Sequence, residues 1–184
     1  MRRPGRFPDA PTLRSYAVHQ RRIHRRNALP TLSPQSSIEF HAEGGRLPAH
    51  PLPDLTAWIH KVIDQRGGRA GEINYIFCSD DYLHQVNLDY LQHDTLTDII
   101  TFPYGEFPEI TGDIFISTDR VADNAVDFGE SYTDELHRVM IHGILHLCGQ
   151  ADKSAREAAA MRSLEQWALS LRPTHLIRAG TQEQ

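Results

Sequence analysis

A helix that contains two histidines and is apolar nearly all round places the strongest constraint on how this chain folds. The sequence predicts it over Thr133–Cys148, with His142 and His146 four residues apart and therefore on one helix face. Its apolar residues are Val139, Met140, Ile141, Ile144, Leu145, Leu147 and Cys148. They predict that the helix is buried, and buried imidazoles need polar partners.

A divalent metal ion would satisfy both imidazoles at once. Gly149 is suited to end the helix, because a left-handed residue past a helix C-terminus costs glycine little. The chain can then turn back and present Asp152, which completes the pattern His-x3-His-x5-Asp. We predict one Zn²⁺ per chain at His142, His146 and Asp152, with a coordination position left for water as in catalytic zinc sites. The alternative is a half-buried helix face whose histidines have ordinary hydrogen-bond partners.

The ligand types leave the metal and the reaction partly open. Two histidines and a carboxylate also describe non-haem iron oxygenases, although nothing else in the sequence suggests that class. A His-Glu-x2-His peptidase places its general base directly after the first histidine, where this chain has Gly143. We therefore do not expect peptide hydrolysis by that route. For a phosphodiester, the metal could polarise a phosphoryl oxygen and activate water.

Three segments, in matching order and spacing, resemble the YbeY family of bacterial metal-dependent endoribonucleases. Residues 138–149 are similar to the histidine signature of that family. Residues 97–103 are similar to its Thr-Asp-Val-Leu-Ser-Phe-Pro segment, and residues 112–116 to its Gly-Asp-Ile strand. Asn87 and Tyr90 match as well. Three motifs in register are more specific than any one of them.

The resemblance extends over residues 70–165 and implies a fold, an activity and partners. The fold is α+β, a single domain with a small mixed sheet of about four strands covered by helices. The activity is single-strand-specific endoribonuclease action in rRNA 3′-end maturation and ribosome quality control. The implied partners are rRNA, the small ribosomal subunit and a ribosomal protein, in the cytoplasm. A second hypothesis is a ribosome-assembly factor that binds rRNA or ribosomal protein and keeps the metal mainly as a structural element.

Two positions depart from the family pattern. Asp152 stands where the family commonly has a third histidine, and a carboxylate lowers the net charge of the metal centre, so bound water should be less acidic. Leu91 stands where an arginine commonly follows the tyrosine, and leucine cannot contact a phosphate. Both departures leave the metal-binding fold intact. They favour the assembly-factor hypothesis more than a standard family sequence would.

Two basic residues near the histidines are candidates for substrate contacts. Arg138 lies one turn before His142, and we predict that these two residues are catalytic, with Arg138 contacting a phosphate. The alternative for Arg138 is a salt bridge with Asp134 or Glu135. Lys153 either meets substrate anions or is simply solvated.

The other polar residues near the motifs have either two possible roles or none that the sequence predicts. His137 lies on another side of the helix and is not predicted to be a ligand. Asp113 either supports a metal-bound histidine, which usually needs such a partner, or belongs to a turn. Thr97 and Asp98 match a family segment but could act only as hydrogen bonders at a strand end. Cys148 is predicted to be a small core residue with a minor ligand role left open.

Composition indicates one globular domain. The chain has 184 residues, of which 40% are hydrophobic and 23% charged, as in ordinary globular proteins. No stretch approaches the roughly 18 apolar residues that a membrane span needs, so no membrane partner is expected. The two cysteines give no disulfide framework. The oligomeric state is not predicted.

Charge divides the chain into a basic segment and an acidic remainder. Residues 1–34 hold eight of the 19 basic residues and one of the 24 acidic ones, which leaves 11 basic and 23 acidic residues in 35–184. With five prolines and no apolar period, 1–34 is predicted to be a disordered extension. Alternatively, this segment could bind RNA through phosphate contacts or be a targeting leader. It could also be an upstream extension that results from a misassigned start codon. The predicted domain is 35–175, and 176–184 is predicted to be a disordered tail.

Periodicity and turn residues predict alternating strands and helices from Ser36 onward. Strands are predicted at 37–42, 73–78, 98–102 and 113–117. Helices are predicted at 54–65, from residue 80 or 81 toward 90, and at 118–128, 133–148 and 154–171. Asp54 is predicted to be the N-cap of the first helix.

Overall fold

A four-stranded mixed sheet forms the centre of the computed structural model, which describes residues 36–91 and 94–177. The strands are β1 (Ser37–Glu43), β2 (Arg69–Cys78), β3 (Ile99–Pro103) and β4 (Glu109–Ser117). Their order is β1-β2-β4-β3. The first three in that order are parallel to one another, and β3 pairs antiparallel with β4. The predicted α+β class with a small mixed sheet is confirmed.

Six helices cover this sheet within the described residues. They are α1 (Leu52–Gln65), α2 (Asp80–Val86), α3 (Thr118–Phe128), α4 (Tyr132–Leu147), α5 (Ala155–Ser170) and α6 (Thr174–Ile177). A single π-helical turn, Asn87–Leu91, continues α2. None of the described helices is both long enough and apolar enough to cross a membrane.

The core lies mainly between one face of the sheet and helices α1, α4 and α5. Alternation along β2 directs Ile73, Tyr75 and Phe77 to this face, where they are fully buried. The Tyr75 hydroxyl donates to the carbonyl of Met140 in α4 over 3.1 Å. The indole of Trp58 in α1 donates to the carbonyl of Ala168 in α5 over 2.9 Å. These bonds satisfy the polar ends of buried aromatic residues and fix how the helices lie on the sheet.

Two glycines let α4 approach the edge of the sheet closely. A Cβ atom on Gly143 would lie 2.8 Å from Cγ2 of Ile114 and 3.0 Å from Cδ1 of Ile99. A Cβ atom on Gly112 in β4 would lie 2.8 Å from Cδ2 of Leu147, at the end of α4. A side chain at either position would force these neighbours to shift. Gly143 adjoins the first histidine, so the close approach also sets where that histidine lies.

Several predicted boundaries need correction. Asp54 is not an N-cap, because α1 begins at Leu52 after Pro51, and Asp54 lies inside the first turn. Pro53 lies in the first turn, where proline has a favourable φ and loses no intrahelical hydrogen bond. Strands β2 and β4 begin four residues earlier than predicted, so the predicted loop 103–112 shortens to 104–108.

The C-terminal part of the described chain extends past the predicted domain end at residue 175. Helix α6 reaches Ile177, and Leu176 is fully buried in the core. The remaining predicted tail residues, 178–184, lie outside the described residues. The predicted basic extension, 1–34, lies outside them as well.

Candidate metal centre

Helix α4 and the turn that follows it bring the three predicted ligands together. The helix ends in a Schellman motif, in which Gly149 has φ +84° and its N–H bonds to the carbonyl of His146. The N–H of Gln150 bonds to the carbonyl of Leu145 in the same motif. This reversal directs the chain back over the helix end and places Asp152 beside the histidines.

The three candidate ligand atoms form a compact triangle. The Nε2 atoms of His142 and His146 are 2.9 Å apart. One carboxylate oxygen of Asp152 lies 3.5 Å from the first Nε2 and 3.3 Å from the second. All three side chains are half-buried, and their ligand atoms lie within 4.8 Å of one another.

Hydrogen bonds place a proton on the Nδ1 atom of both imidazole rings. Nδ1 of His142 is 2.6 Å from a carboxylate oxygen of Glu165, and Nδ1 of His146 is 2.8 Å from the carbonyl oxygen of Gln150. Carboxylate and carbonyl oxygens only accept hydrogen bonds, so each Nδ1 carries the proton and donates. In the neutral form of each ring, this tautomer directs the lone pair of Nε2 toward the other ring and toward Asp152.

This donor set fits a divalent cation. Two lone pairs and an anionic oxygen at these separations repel one another unless a positive charge lies between them. Ligand atoms around a tetrahedral zinc lie about 3.3 Å apart, given zinc–nitrogen bonds of about 2.0–2.1 Å, and the observed 2.9–3.5 Å includes that spacing. Metal-bound histidines typically donate their other nitrogen to a carboxylate or a carbonyl, as both rings do here.

Glu165 is the functional residue that sequence reasoning missed. It lies in α5 and is buried, with its carboxylate bonded to His142 and 3.4 Å from the guanidinium of Arg138. A weak signal existed, because Glu165 shares a helix face with the buried residues Met161 and Ala168. An acid on an otherwise apolar face indicates a partner inside the fold.

Arg138 is the centre of a charge network beside the candidate metal centre. It forms two hydrogen bonds to the buried Glu135, of 2.6 and 2.7 Å, and it also lies near Glu165 and 3.8 Å from Asp98. Hydrogen bonding to Glu135 holds the pKa of Arg138 above its ordinary value, so the guanidinium stays charged. The alternative prediction of a salt bridge with Glu135 is thus what the structure contains. The predicted phosphate contact of Arg138 stays a prediction.

Two clefts meet at this centre. The polar cleft, of about 730 Å³, is lined by Asn87, Thr95, Thr97, Asp98, Ile99, Ile100, Thr101, Pro103, Lys153 and the three candidate ligands. It therefore contains the predicted Thr97, Asp98 and Lys153. The side chain of Leu91 lies outside what the structure describes.

The aromatic cleft, of about 440 Å³, opens on the other side of the centre. It is lined by Phe128, Glu130, Glu135, Arg138, His142, Asp152, Ala158, Met161, Arg162 and Glu165. His142 and Asp152 line both clefts, so the candidate metal centre forms their junction.

Three other residues considered from the sequence lie apart from the ligand triangle. His137 is fully buried and packs against Trp58 with ring centroids 5.3 Å apart. Asp113 supports neither a histidine nor a turn, because it lies in β4 and accepts hydrogen bonds from Asn74 and Tyr104. Cys148 is buried, which raises the pKa of its thiol, and it is not among the clustered ligand atoms.

Comparisons with known proteins agree with the fold and with the motifs. The family described as Endoribonuclease YbeY matches residues 48–171. A relative named Endoribonuclease YbeY in Flavobacterium johnsoniae is 57% identical over 111 residues, 60% of this chain and 80% of that protein. One of the same name in Bacteroides thetaiotaomicron is 48% identical over 136 residues, 74% of this chain and 99% of that protein.

A solved structure supports the same assignment. The solution structure of TM1509 from Thermotoga maritima is similar with a TM-score of 0.57 and 25% identity, over 80% of this chain and 100% of that one. Fold and site together define an α+β protein with a two-histidine, one-carboxylate candidate metal centre between two clefts. The chain belongs to the YbeY family.

Proposed function

We propose that this chain is a single-strand-specific, metal-dependent endoribonuclease that acts in rRNA 3′-end maturation and ribosome quality control. The observation that carries the proposal is the convergence of two Nε2 lone pairs and the Asp152 carboxylate at the junction of two clefts. It is supported by relatives that carry the name endoribonuclease. The proposed partners are single-stranded rRNA, the small ribosomal subunit and a ribosomal protein, which implies a cytoplasmic location.

In this proposal, His142, His146 and Asp152 hold one Zn²⁺. When bound, the ion supplies Lewis-acid polarisation of a phosphoryl oxygen and activation of water. Glu165 keeps the proton of His142 on Nδ1 and leaves Nε2 available as a ligand, and the Gln150 carbonyl does the same for His146.

Phosphate contacts are assigned to the basic residues around the junction. Lys153 in the polar cleft and Arg162 in the aromatic cleft form no ion pair within the described residues, although Lys153 interacts electrostatically with Glu157. Both are assigned to phosphates. Arg138 is proposed to contact a phosphate while its charge is partly balanced by Glu135 and Glu165. Neutralised in this way, Arg138 attracts the RNA less strongly than an unpaired arginine would.

The alternative function is a ribosome-assembly factor that binds rRNA or ribosomal protein, with the metal mainly structural. The strong ion pairing of Arg138 and the acidic balance of residues 35–184 favour it, because nucleic-acid enzymes ordinarily present a basic face. The geometry favours the nuclease, because a purely structural zinc site is closed by four protein ligands. Here the clustered ligand atoms within the described residues number three.

RNA cleavage by wild type and by His142→Ala decides between these functions. We expect His142→Ala to lose cleavage of single-stranded RNA by at least about 100-fold, since even outer partners of metal ligands are worth 10–100-fold. His60→Ala, which changes a histidine of α1 away from the site, serves as the control and should cleave normally. Circular dichroism establishes that each variant is folded. Equal background cleavage by wild type and His142→Ala would leave only the assembly factor.

Elemental analysis tests the metal itself. Protein purified without added metal should contain about one equivalent of zinc, and Asp152→Ala should lose it because two imidazoles alone hold the ion weakly. Asp127→Ala removes an exposed carboxylate of α3 and should retain the metal. Full metal content in Asp152→Ala would show that the third ligand has been wrongly assigned.

The division of the chain is part of the proposal. We propose that residues 35–175 carry the activity, which agrees with the family match over 48–171. A chain that begins at residue 35 should cleave RNA within about twofold of the full chain at moderate salt. If 1–34 grips phosphates, the full chain will instead bind more tightly and lose affinity more steeply as salt rises. Cleavage measured over a salt series distinguishes the two.

A further inference from the structure

The aromatic cleft contains a large exposed ring beside the candidate metal centre. Phe128 is the last residue of α3 and 63% exposed, and it lines the same cleft as His142 and Asp152. Gly129 follows with φ +68° and ends the helix at this point. The exposed ring of Phe128 is therefore available to contact an occupant of this cleft.

Phe128 differs from Val126, another exposed apolar residue of α3, in that Phe128 lines the cleft. Val126 belongs to the same helix and is 81% exposed, yet it does not line the aromatic cleft. The cleft volume of about 440 Å³ falls in the range of small-ligand sites. An occupant of that size beside Phe128 would also be beside the candidate metal centre.

Four carboxylates and two guanidinium groups line the aromatic cleft, and most of them are already paired. Glu135 and Glu165 are both paired with Arg138, and Asp152 belongs to the ligand triangle. Arg162 is exposed and forms no ion pair within the described residues, whereas Glu130 adds a negative charge to the lining.

We propose that the aromatic cleft holds the nucleobase next to the cleaved phosphate of single-stranded RNA, stacked on Phe128, with Arg162 on a neighbouring phosphate. The inference rests on the proposed function, since it takes RNA as the substrate. Stacking of bases on aromatic side chains tolerates any sequence and requires an unpaired base. Phe128 thereby becomes a determinant of single-strand specificity. The strand crosses the metal centre, with Lys153 on the polar side and Arg162 on the aromatic side.

Fluorescence of 2-aminopurine in a single-stranded RNA oligonucleotide tests the stacking, because the fluorescence of this base is quenched when it stacks. Zinc-loaded wild type should quench it on binding. Phe128→Ala should lose most of the quenching and about tenfold in affinity, and Phe128→Trp should restore both. Val126→Ala is the matched control and should behave as wild type. A denaturing gel after each titration establishes that the RNA is intact.

Arg162 is tested by the salt dependence of the same binding. Arg162→Ala should reduce the slope of log affinity against log salt by about one, as expected for the loss of one phosphate contact. Arg156→Ala, an exposed arginine of the same helix outside the cleft lining, should leave the slope unchanged. If Arg162→Ala and Arg156→Ala show the same dependence of log affinity on log salt, Arg162 does not contact a phosphate.

The stacking inference and the nuclease proposal fail in different ways. Quenching that depends on Phe128 without any RNA cleavage by wild type would support the stacking site and overturn the nuclease. Normal cleavage with full quenching in Phe128→Ala would overturn the stacking site alone. A change in the oligomeric state of Phe128→Ala, measured by sedimentation with RNA affinity unchanged, would also overturn it, because Phe128 would then belong to a protein interface.

Discussion

Glu165 is a buried partner of the candidate metal centre, although it supplies none of the candidate ligand atoms. Its carboxylate accepts a hydrogen bond from Nδ1 of His142 and lies 3.4 Å from the guanidinium of Arg138. The local spacing of His142, His146 and Asp152 was readable in the sequence because one helix and one turn set it. Glu165 lies 23 residues beyond His142 on another helix, and only the packing of α5 on α4 brings them together. A contact between residues so far apart in the chain cannot be predicted from a local sequence pattern.

We predict that Glu165→Gln weakens zinc binding by about 10–100-fold, the usual effect of losing such a partner. The amide keeps the size of the side chain but removes the negative charge that makes His142 a stronger ligand. Competition with a chromogenic chelator measures the affinity, and circular dichroism monitors folding. Asp127→Asn, at an exposed position of α3, is the control. Unchanged affinity in Glu165→Gln would mean that helix packing alone orients His142.

At the scale of elements, periodicity predicted helices and strands better than it predicted their ends. Helix α3 occupies the predicted range, because the Ser117 side chain caps its start and Gly129 ends it. Helix α1 begins earlier than predicted, since Pro51 starts it without a side-chain cap. Strand β2 begins earlier because its pairing with β1 and β4 continues beyond its apolar run. Pairing partners are distant in sequence, so they could not be predicted from local pattern.

The close contact between α4 and the sheet gives a prediction at this scale. In an exposed helix, Gly→Ala stabilises by up to about 1 kcal/mol. At Gly143 the new methyl group would lie 2.8 Å from Ile114, so we expect Gly143→Ala to destabilise the fold by roughly 1–3 kcal/mol and to weaken zinc binding. Urea denaturation measures the first effect and chelator competition the second.

Ser163→Ala is the control for Gly143→Ala. Ser163 lies on the exposed side of α5, where the substitution should change stability by no more than about 0.5 kcal/mol. Stabilisation by Gly143→Ala would show that α4 can move away from the sheet at little cost. The position of His142 would then not depend on that contact.

At the scale of the whole molecule, a polar cluster around the buried His137 joins the loop before α1, helix α4 and the segment that follows α5. Arg172 donates to Asp134 over 2.7 Å and to Nδ1 of His137 over 3.1 Å. The ring of His137 also packs against His50, with centroids 5.1 Å apart. These residues come from three separate parts of the chain. From the sequence we predict only that His137 is not a ligand. Its structural role depends on contacts with residues distant in sequence, which helical periodicity does not reveal.

This cluster predicts that the fold loses stability in mild acid. Burial, together with the positive charges of Arg172 and His50, lowers the pKa of His137 from 6.5 to about 3. Between these two values the unfolded chain binds a proton at this histidine and the folded protein does not. The free energy of unfolding therefore falls as pH drops below about 6.5, by roughly 1 kcal/mol per pH unit from this residue.

Urea denaturation near pH 7 and near pH 5 measures this loss in wild type and in His137→Gln, which offers Arg172 an acceptor but does not titrate. The variant should be less stable than wild type near pH 7, because it packs less well against Trp58, and should lose less stability on acidification. His60→Gln corrects for histidines in general and should show the wild-type slope. If His137→Gln loses as much stability between pH 7 and pH 5 as wild type does, the acid sensitivity comes from other groups. Protonation of His137 would then not be what weakens the contacts among these three parts of the chain.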